Sequence, residues 1–360
     1  MNIKESKGIF LQVICNFTKR GDLMKIRSLS LLILILTVFT LTSCDAKTST
    51  IEGENLTIEK VRLGITNTPP SWLALIADEM NYFKKHALDV NVKSFKSGKR
   101  ALNGLFLDKV DIATTSESPV VFNSMRRQDF SIFATIGSSS NDNIIVAARD
   151  SGVTSPRDLK GKRIATQSMS SSHFYMHLFF LQNNLSNKMV RRSFMKVEEL
   201  PQALHSKKVD AISTREPFYS EAMVLLGENA IVFETPGLYL KSFELVGFND
   251  YLTKNSSIQI KILKSLLDAE DYLKNNEAET IELLSKRLSL SKANIKKSLI
   301  TLNLSVRLEQ SLILNMEDQA RWIITNKLEK NTQMPNFLNY ISTKALRRIK
   351  PDAVSIISKN

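Results

Sequence analysis

Residues 75–90, with the sequence LIADEMNYFKKHALDV, decide the fold. They carry the end of an apolar segment with helical spacing, Trp72 to Lys85, and the start of a short run with strand-like alternation, Val90 to Phe95. A strand-like run also precedes them, at Lys60 to Thr66. A strand, a helix and a second strand in this order are typical of an α/β unit with a parallel sheet.

The same alternation of strand and helix patterns continues along the chain and predicts an α/β fold with two lobes. Further strands are predicted at Asp111 to Thr115, Asn143 to Ala148, Arg163 to Thr166, Arg191 to Met195, Val209 to Ser213 and Ile231 to Glu234. Helices are predicted at Lys99 to Leu107, His173 to Asn183, Glu198 to Ser206 and Pro217 to Leu226. After Asn255 the pattern is helical only, up to a long segment from Arg307 to Leu328. These extra C-terminal helices are expected to cover one lobe.

The composition is that of an ordinary globular protein, since 43% of the 360 residues are hydrophobic and only 12 are glycine. Two cysteines exclude a disulfide framework and a four-cysteine zinc site. The formal net charge is +13, which leaves nucleic acid, an anionic membrane surface and anionic ligands open as partners.

The N-terminal segment has the pattern of an export signal. Lys25 and Arg27 precede the apolar run Leu31 to Leu41, which is too short to span a bilayer as a helix. Residues 1–43 are therefore interpreted as a leader, made of an upstream extension, 1–23, and a signal peptide, 24–43. Whether Met1 or Met24 is the true start stays open.

The signal peptide ends in Leu41-Thr42-Ser43-Cys44, which resembles the lipobox of bacterial lipoproteins. This resemblance implies that Cys44 is acylated, palmitate included, and becomes the mature N-terminus. The polar residues 44–55 would then be a tether. We expect a protein of the cell envelope, anchored by lipid and facing the periplasm or the cell exterior.

Several motifs follow one another in an order that resembles the type II periplasmic substrate-binding proteins of ABC importers. The segment 75–90 is similar to the family pattern A-x-x-x-G-Y-F-x-x-x-G-L-x-V, with Asn81 and Ala87 in place of its glycines. Val110-Asp111-Ile112-Ala113, Leu159 to Ala165, Val209-Asp210-Ala211 and Glu216-Pro217-Phe218 continue the resemblance, which covers about Ile58 to Leu252. The most similar members bind nitrate, sulfonates, taurine or thiamine pyrimidine precursors.

The resemblance implies a two-lobed fold in which a ligand binds in the cleft between the lobes. Residues 56–143 and 246–350 would form lobe 1, and 144–245 lobe 2. The implied function is capture of a small solute, such as a sulfonate, nitrate, taurine or a pyrimidine, by a monomer that delivers it to a permease with a cytoplasmic ATPase. No cofactor is expected. An enzyme of pyrimidine, thiamine or menaquinone precursor synthesis on the same fold, and a periplasmic sensor, remain as alternatives.

The candidate ligand contacts lie where predicted strands end and helices begin, because helix N-termini direct N–H groups into such a crevice. They are Thr68, Ser116 and Glu117 in lobe 1, and Ser171, Ser172, Thr214 and Arg215 in lobe 2. Each hydroxyl could equally be a helix cap. Arg215 could bind a carboxylate, sulfonate or phosphate through its planar fork, or pair with Glu216 or Glu221 at the surface. Glu117 favours a ligand with an amine or a ring N–H over a bare anion.

Aromatic and imidazole groups complete the candidate site. Trp72 and Phe218 could form its apolar walls, although aromatic residues that begin a helix are more often core. His173 is expected as a hydrogen-bonding group at the cleft. His173 and His177 have the spacing of a metal pair, but no third ligand is apparent, so no metal is expected.

Four basic pairs are spread over different elements: Arg126-Arg127, Arg191-Arg192, Lys207-Lys208 and Arg347-Arg348. Because they share no stripe, they are interpreted as solvated surface, and nucleic-acid binding is not expected.

Overall fold

In the computed structural model, the eleven strands found in the described residues, 57–357, form two sheets. The larger sheet contains β1 (Glu59–Thr66), β2 (Leu88–Phe95), β3 (Ile112–Ser116), β4 (Phe130–Ser139), β10 (Lys241–Phe248) and β11 (Leu302–Asn303). The smaller sheet contains β5 (Asn143–Ala148), β6 (Arg163–Thr166), β7 (Arg191–Phe194), β8 (Ala211–Arg215) and β9 (Ala230–Phe233). The leader, 1–43, and the whole tether, 44–55, which begins with Cys44, lie outside the described residues.

Helices connect and cover the strands. In chain order they are α1 (Trp72–Glu79), α2 (Tyr82–Lys85), α3 (Gly98–Phe106), α4 (Glu117–Ser124), α5 (Ser171–Gln182), α6 (Leu200–His205), α7 (Phe218–Leu226), α8 (Asn249–Lys254), α9 (Ser256–Asn275), α10 (Glu277–Leu288), α11 (Lys292–Thr301), α12 (Gln310–Thr325) and α13 (Lys344–Ile349). None of these helices is long and apolar enough to cross a membrane.

Both sheets are mixed, whereas the sequence pattern predicts parallel ones. The strand order is β11-β4-β10-β3-β1-β2 in the larger sheet and β7-β6-β8-β5-β9 in the smaller. In the larger sheet β1 is parallel to β2 and β3, while β10 is antiparallel to its neighbours β3 and β4. In the smaller sheet β6 is parallel to β7 and β8, and β5 is antiparallel to β8 and β9. The antiparallel strands β4 and β10 were absent from the predicted elements.

The chain passes between the sheets twice. It leaves the larger sheet after Ser139 and enters the smaller one at Asn143; it leaves the smaller sheet after Phe233 and returns at Lys241. Residues 241–245 were assigned to lobe 2, but they belong to β10 and pair with β3 and β4, so that boundary is corrected to the segment 234–240. The division into two lobes with hinges at these two passages remains a proposal.

The predicted helix over 72–85 is interrupted where the family pattern has its first glycine. Asn81 adopts a left-handed backbone with φ of 56°, which ends α1 and allows α2 to start in a new direction. Ala87, at the second glycine position, is also left-handed, with φ of 54°. An L-residue with a Cβ pays a steric cost in this region, and alanine has no side-chain hydrogen bond to offset it.

A continuous apolar core extends under both sheets, and a second, smaller core lies on the outer face of the smaller sheet. The alternation along β5 separates the two: Ile145 and Ala147 join the large core, whereas Ile144 and Val146 join the small one. Successive strand residues point to opposite faces, so β5 is covered on both sides.

Candidate functional site

The carboxyl-terminal ends of parallel strands from the two sheets face each other. Ser97, which follows β2, accepts a hydrogen bond of 3.3 Å from the amide of Gln167, which follows β6. One turn further, the Lys99 ammonium donates to the carbonyl of Ser168 at 3.0 Å. Ligands of open α/β sheets bind at this end of the strands, because helix N-termini converge there.

The predicted contact residues are nearly all inaccessible in this structure. Each of them has at most 6% of its surface exposed: Thr68, Trp72, Ser116, Glu117, Ser171, Ser172, His173, Thr214, Arg215 and Phe218. A cavity of about 400 Å³ lies beside them and is lined by Pro69, Asn141, Asp142 and Glu216, but not by Arg215. A solute can therefore reach Arg215 only if the two sheets move apart.

Arg215 ends β8 and is buried without a partner. Only 4% of its surface is exposed, and its Nη1 has no hydrogen-bond acceptor among the described residues. The alternative of a surface ion pair with Glu216 or Glu221 is therefore wrong; the Glu216 carboxylate instead accepts from the hydroxyl and N–H of Ser220. Burial lowers the pKa of Arg215, because the charged guanidinium has lost its hydration.

Asp142, the acidic side chain that attracts Arg215, is already in an ion pair with another residue. Asp142, in the first passage between the sheets, accepts from the Lys241 ammonium at 2.5 Å, and both side chains are at most 4% exposed. Asp142 attracts Arg215 through space but forms no ion pair with it. A buried donor without an acceptor costs about 1–3 kcal/mol, and more when it is charged. This site thus favours an additional anion at Arg215.

Glu117 does not have the role predicted for it. Its carboxylate is fully buried and accepts hydrogen bonds from the Tyr239 hydroxyl, from the Ser242 N–H at 3.1 Å and from the Gln319 amide at 2.9 Å. Burial raises the pKa of Glu117 to about 7, although the charge of Lys241 and the hydrogen bonds from Gln319 and Ser242 act to lower this pKa. The carboxyl thus links α4 to β10 and α12 within the larger lobe, and in this structure its hydrogen bonds are to the protein itself.

The hydroxyl groups divide into two sets. Ser172 and Ser171 donate to the Asn143 amide oxygen at 2.8 and 3.4 Å, and Thr68 bonds Thr66 at 2.6 Å, so these three hold loops together. Thr214 is the opposite case, because its Oγ1 is buried and unpartnered.

Ser116 also belongs to the second set. It occupies the N-cap of α4, yet its side chain makes no capping bond. Its hydroxyl and that of Thr214 are therefore available to an oxyanion, together with the helix N-terminus that Ser116 begins.

His173 lies in an aromatic cluster that joins the two lobes. Its ring is 4.9 Å from Trp322 of α12 and 4.7 Å from Phe194 of β7, and it stacks on Phe122 of α4 at 6.5 Å. Burial, with smaller contributions from the charges of Arg192, His177 and Lys99, lowers its pKa to about 3. The imidazole is therefore neutral, and its buried Nδ1 has no partner.

The two predicted aromatic walls pack in the two cores. Trp72 is completely buried in the large core, although its indole N–H has no acceptor, and Phe218 is part of the small core. Their contact with a ligand stays a prediction. Among residues 57–357, no three His, Cys, Asp or Glu side chains are grouped so as to hold a metal ion.

The sequence reasoning missed four residues of this region: Ser97, Asn143, Gln167 and Lys241. Ser97 had a readable signal, since it caps α3 directly after β2, as the serines at the other junctions do. Lys241 and Asn143 had none, because their roles arise from contacts with residues that are remote in the sequence.

Comparisons with known proteins agree with this geometry. The family model NMT1/THI5 like matches residues 69–280. A Bacillus subtilis protein named as a candidate aliphatic sulfonates-binding protein is 27% identical over 274 residues, which are 75% of this chain and 81% of the relative.

The alkanesulfonate-binding protein SsuA from Xanthomonas axonopodis pv. citri, solved with MOPS bound, superposes with a TM-score of 0.70 at 20% identity, covering 80% of this chain and 99% of its own. The desulfurization enzyme DSZB also matches, with a TM-score of 0.57 at 13% identity, over 81% of this chain and 98% of its own. The fold is thus that of the two-lobed periplasmic binding proteins, which at least one enzyme shares.

Proposed function

The chain belongs to the NMT1/THI5-like family, and we propose from this that it is a solute-binding protein of an ABC importer whose ligand is a small sulfonate. The family match and the named binding proteins among its relatives support the solute-binding role. The choice of a sulfonate rests on the chemistry of the cleft.

The observation that carries the choice is the buried, unpartnered guanidinium of Arg215. Glu117, which had favoured a ligand with an amine or a ring N–H, already accepts hydrogen bonds from Tyr239, Ser242 and Gln319. The remaining free groups, including the hydroxyls of Ser116 and Thr214, are donors suited to a three-oxygen anion. An arginine fork binds such a group through two parallel hydrogen bonds.

Binding would proceed by closure. The solute enters when the lobes are apart and its anionic group bonds Ser116 and the N-terminus of α4; closure then adds Thr214 and Arg215 from the smaller sheet. A ligand shifts this equilibrium only through contacts that it makes in the closed state alone. The contacts Ser97–Gln167 and Lys99–Ser168 already close the cleft on one side in this structure.

The experiment is titration calorimetry of the purified protein with ethanesulfonate, butanesulfonate, taurine, nitrate and a pyrimidine. We expect binding of a sulfonate, and Arg215→Ala should weaken it at least tenfold, about 2–5 kcal/mol, because the anion is left unpaired in a dry site. Arg215→Lys should recover only part of the affinity, since an ammonium lacks the fork.

A matched control is Arg127→Ala, in which the lost guanidinium pairs with Asp129 outside the cleft. This variant should bind the sulfonate normally. Normal affinity in Arg215→Ala would exclude the proposed site, and turnover of the sulfonate in place of reversible binding would favour an enzyme on this fold.

We also propose that lipid on Cys44 anchors the protein in the cell envelope, next to its permease. The motif that supports this is Leu41-Thr42-Ser43-Cys44. Cys44→Ser should move the protein from the membrane fraction to the soluble fraction or leave the leader uncleaved. Fractionation and electrophoretic mobility identical to those of the wild type would exclude lipidation.

A further inference from the structure

Basic side chains that are scattered in the sequence converge on one groove at the edge of the cleft. The groove has a volume of about 910 Å³ and is bounded by α3 on one side and by β6, β7 and the segment after β7 on the other. Seven cationic residues line it, against Glu199 as the one acidic residue: Lys99, Arg100, Arg163, Arg191, Arg192, Lys196 and Lys208. This corrects the interpretation of Arg191, Arg192 and Lys208 as unrelated surface charges, whereas Lys207 lies outside the groove and pairs with Asp150 at the surface.

Three of the seven cations have acidic partners. Arg100 pairs with Glu198 at 2.8 Å, Arg163 with Asp210 at 2.6 Å, and Lys196 with Glu199 at 3.7 Å. The other four, Lys99, Arg191, Arg192 and Lys208, form no ion pair within the described part of the chain. The groove therefore holds a concentrated positive charge that the protein itself does not neutralise.

Two of the unpaired cations come from opposite sides and act on the same group. Lys99 belongs to α3, and Arg192 to β7, yet the charges of both lower the pKa of His173. The pKa of Lys99 is itself lowered by burial and by the neighbouring charges of Arg126 and Arg100. Both cations therefore add positive potential at the same point of the protein, which an anion bound in the groove would offset.

We propose that this groove is a binding site for a small polyanion that carries two or more phosphate or sulfate groups. The planar forks of Arg191 and Arg192 match such groups, and Lys99 adds a point charge from the opposite wall. The buried hydroxyl of Ser193, which lacks a partner, is a further donor in the lining. A single monovalent anion would leave most of the four charges unpaired.

The dimensions favour a small molecule over a macromolecule. The volume lies within the range of about 300–1,000 Å³ that is typical of small-molecule pockets. In this structure the lining of the groove does not include Arg215, Ser116 or Thr214, the residues of the proposed sulfonate site. The proposal rests on the basic residues of the groove and not on the identity of the cleft ligand.

The test is titration calorimetry of the purified protein with inorganic triphosphate, with inorganic phosphate as the single-group probe, at two salt concentrations. We expect triphosphate to bind at least tenfold more tightly than phosphate, and more weakly at the higher salt. The double variant Arg191→Gln/Arg192→Gln should lose at least tenfold in affinity for triphosphate.

The matched control is Arg347→Gln/Arg348→Gln, a basic pair on α13 that does not line the groove. It should keep the affinity of the wild type for triphosphate. Equal affinity in the two double variants would overturn the proposal. Triphosphate binding no tighter than that of phosphate would also overturn it. The proposal would likewise be overturned if a single-stranded oligonucleotide bound more tightly than triphosphate and displaced it.

Discussion

The Lys241 ammonium lies 2.5 Å from the Asp142 carboxylate, and this buried ion pair ties together the two segments that connect the sheets. Asp142 precedes β5, and Lys241 begins β10. Each residue therefore sits where the chain passes from one lobe to the other. The pair fixes both passages at one point, next to Arg215, without using the free donors of the cleft.

Lys241→Met should strongly destabilise the protein. Taking away one partner leaves the Asp142 carboxylate buried without an ion pair, for which we expect a loss of about 3–5 kcal/mol in the free energy of unfolding. The double variant Lys241→Met/Asp142→Leu should recover part of this loss, because it removes the buried carboxylate, although Arg215 then loses the attraction of Asp142. Urea unfolding of both variants measures the two effects.

The exposed pair Lys196–Glu199 provides the control, since its side chains are 66% and 50% exposed. Removing Lys196 should change the free energy of unfolding by no more than about 1 kcal/mol. If Lys241→Met cost no more than this, the ion pair would not be a structural link between the lobes.

Ala87→Gly should stabilise the protein by about 1 kcal/mol. Ala87 is held at a φ of 54°, where an L-residue carries a steric cost of about 1–2 kcal/mol that glycine avoids. Part of this gain is offset, because glycine has more conformational entropy to lose when the chain folds. The control is Ala101→Gly in the interior of α3, which should destabilise by about 1 kcal/mol. Thermal unfolding of the two variants should therefore shift in opposite directions; a shift of Ala87→Gly to lower temperature would contradict the strained turn.

The local features of the fold could be predicted from the sequence. The strand Glu59–Thr66 and the helix that follows it have the expected pattern, although the left-handed residue Asn81 divides the helix that was predicted over 72–85. β4 was missed because every residue from Phe130 to Ser139 is buried, so the strand lacks the alternation that identifies a half-exposed one. β10 was missed because its position in the sheet depends on pairing with β3 and β4, which lie more than 100 residues earlier in the chain.

The site shows the same division. The geometry of an α/β fold predicts that the loops after β1, β3, β6 and β8 contribute to one site, and their contact with a common ligand stays a prediction. Which side chains remain free was not predictable, since the Glu117 carboxyl accepts hydrogen bonds from Tyr239 and Gln319, 122 and 202 residues further along the chain. The basic groove was missed for the same reason, because Lys99 and Arg192 line one groove only in the folded chain.

Below neutral pH, His173 should destabilise the protein. Its folded pKa is about 3 and its ordinary value 6.5, so between these values the unfolded chain binds a proton that the folded protein excludes. The stability that this neutral group contributes is present above pH 6.5 and is lost as the pH falls. His173→Phe should therefore gain about 2–3 kcal/mol relative to the wild type between pH 7 and pH 4.5.

Urea unfolding at the two pH values measures this gain. The matched variant is His205→Phe, at an exposed position at the end of α6, which should show no comparable change relative to the wild type. A pH dependence of His173→Phe identical to that of the wild type would mean that the imidazole is protonated in the folded protein.

Glu244 should produce the opposite dependence at alkaline pH. The side chain is fully buried in β10; its Oε2 accepts from Thr135 at 2.6 Å, and its Oε1 has no partner. Burial raises its pKa to about 8, with a smaller contribution from Glu117. Because the folded protein keeps a proton that the unfolded chain loses above about 4.5, stability falls as the pH rises between these two values.

In the interval from pH 7 to pH 9 this residue causes the largest change, since Glu117, which titrates near 7, is already half ionised at its start and the shifted histidines titrate lower still. The wild type should lose about 1–2 kcal/mol in this interval, whereas Glu244→Gln, which keeps the shape without the charge, should lose less than half of that, through Glu117. The control is Glu270→Gln. Glu270 is also buried, but hydrogen bonds from Lys274 and the Val306 N–H lower its pKa in spite of burial. This variant should therefore lose as much stability between pH 7 and pH 9 as the wild type. A wild-type stability that stays constant from pH 7 to pH 9 would show that Glu244 is ionised in the folded protein, with Arg307 as the cation close enough to compensate it.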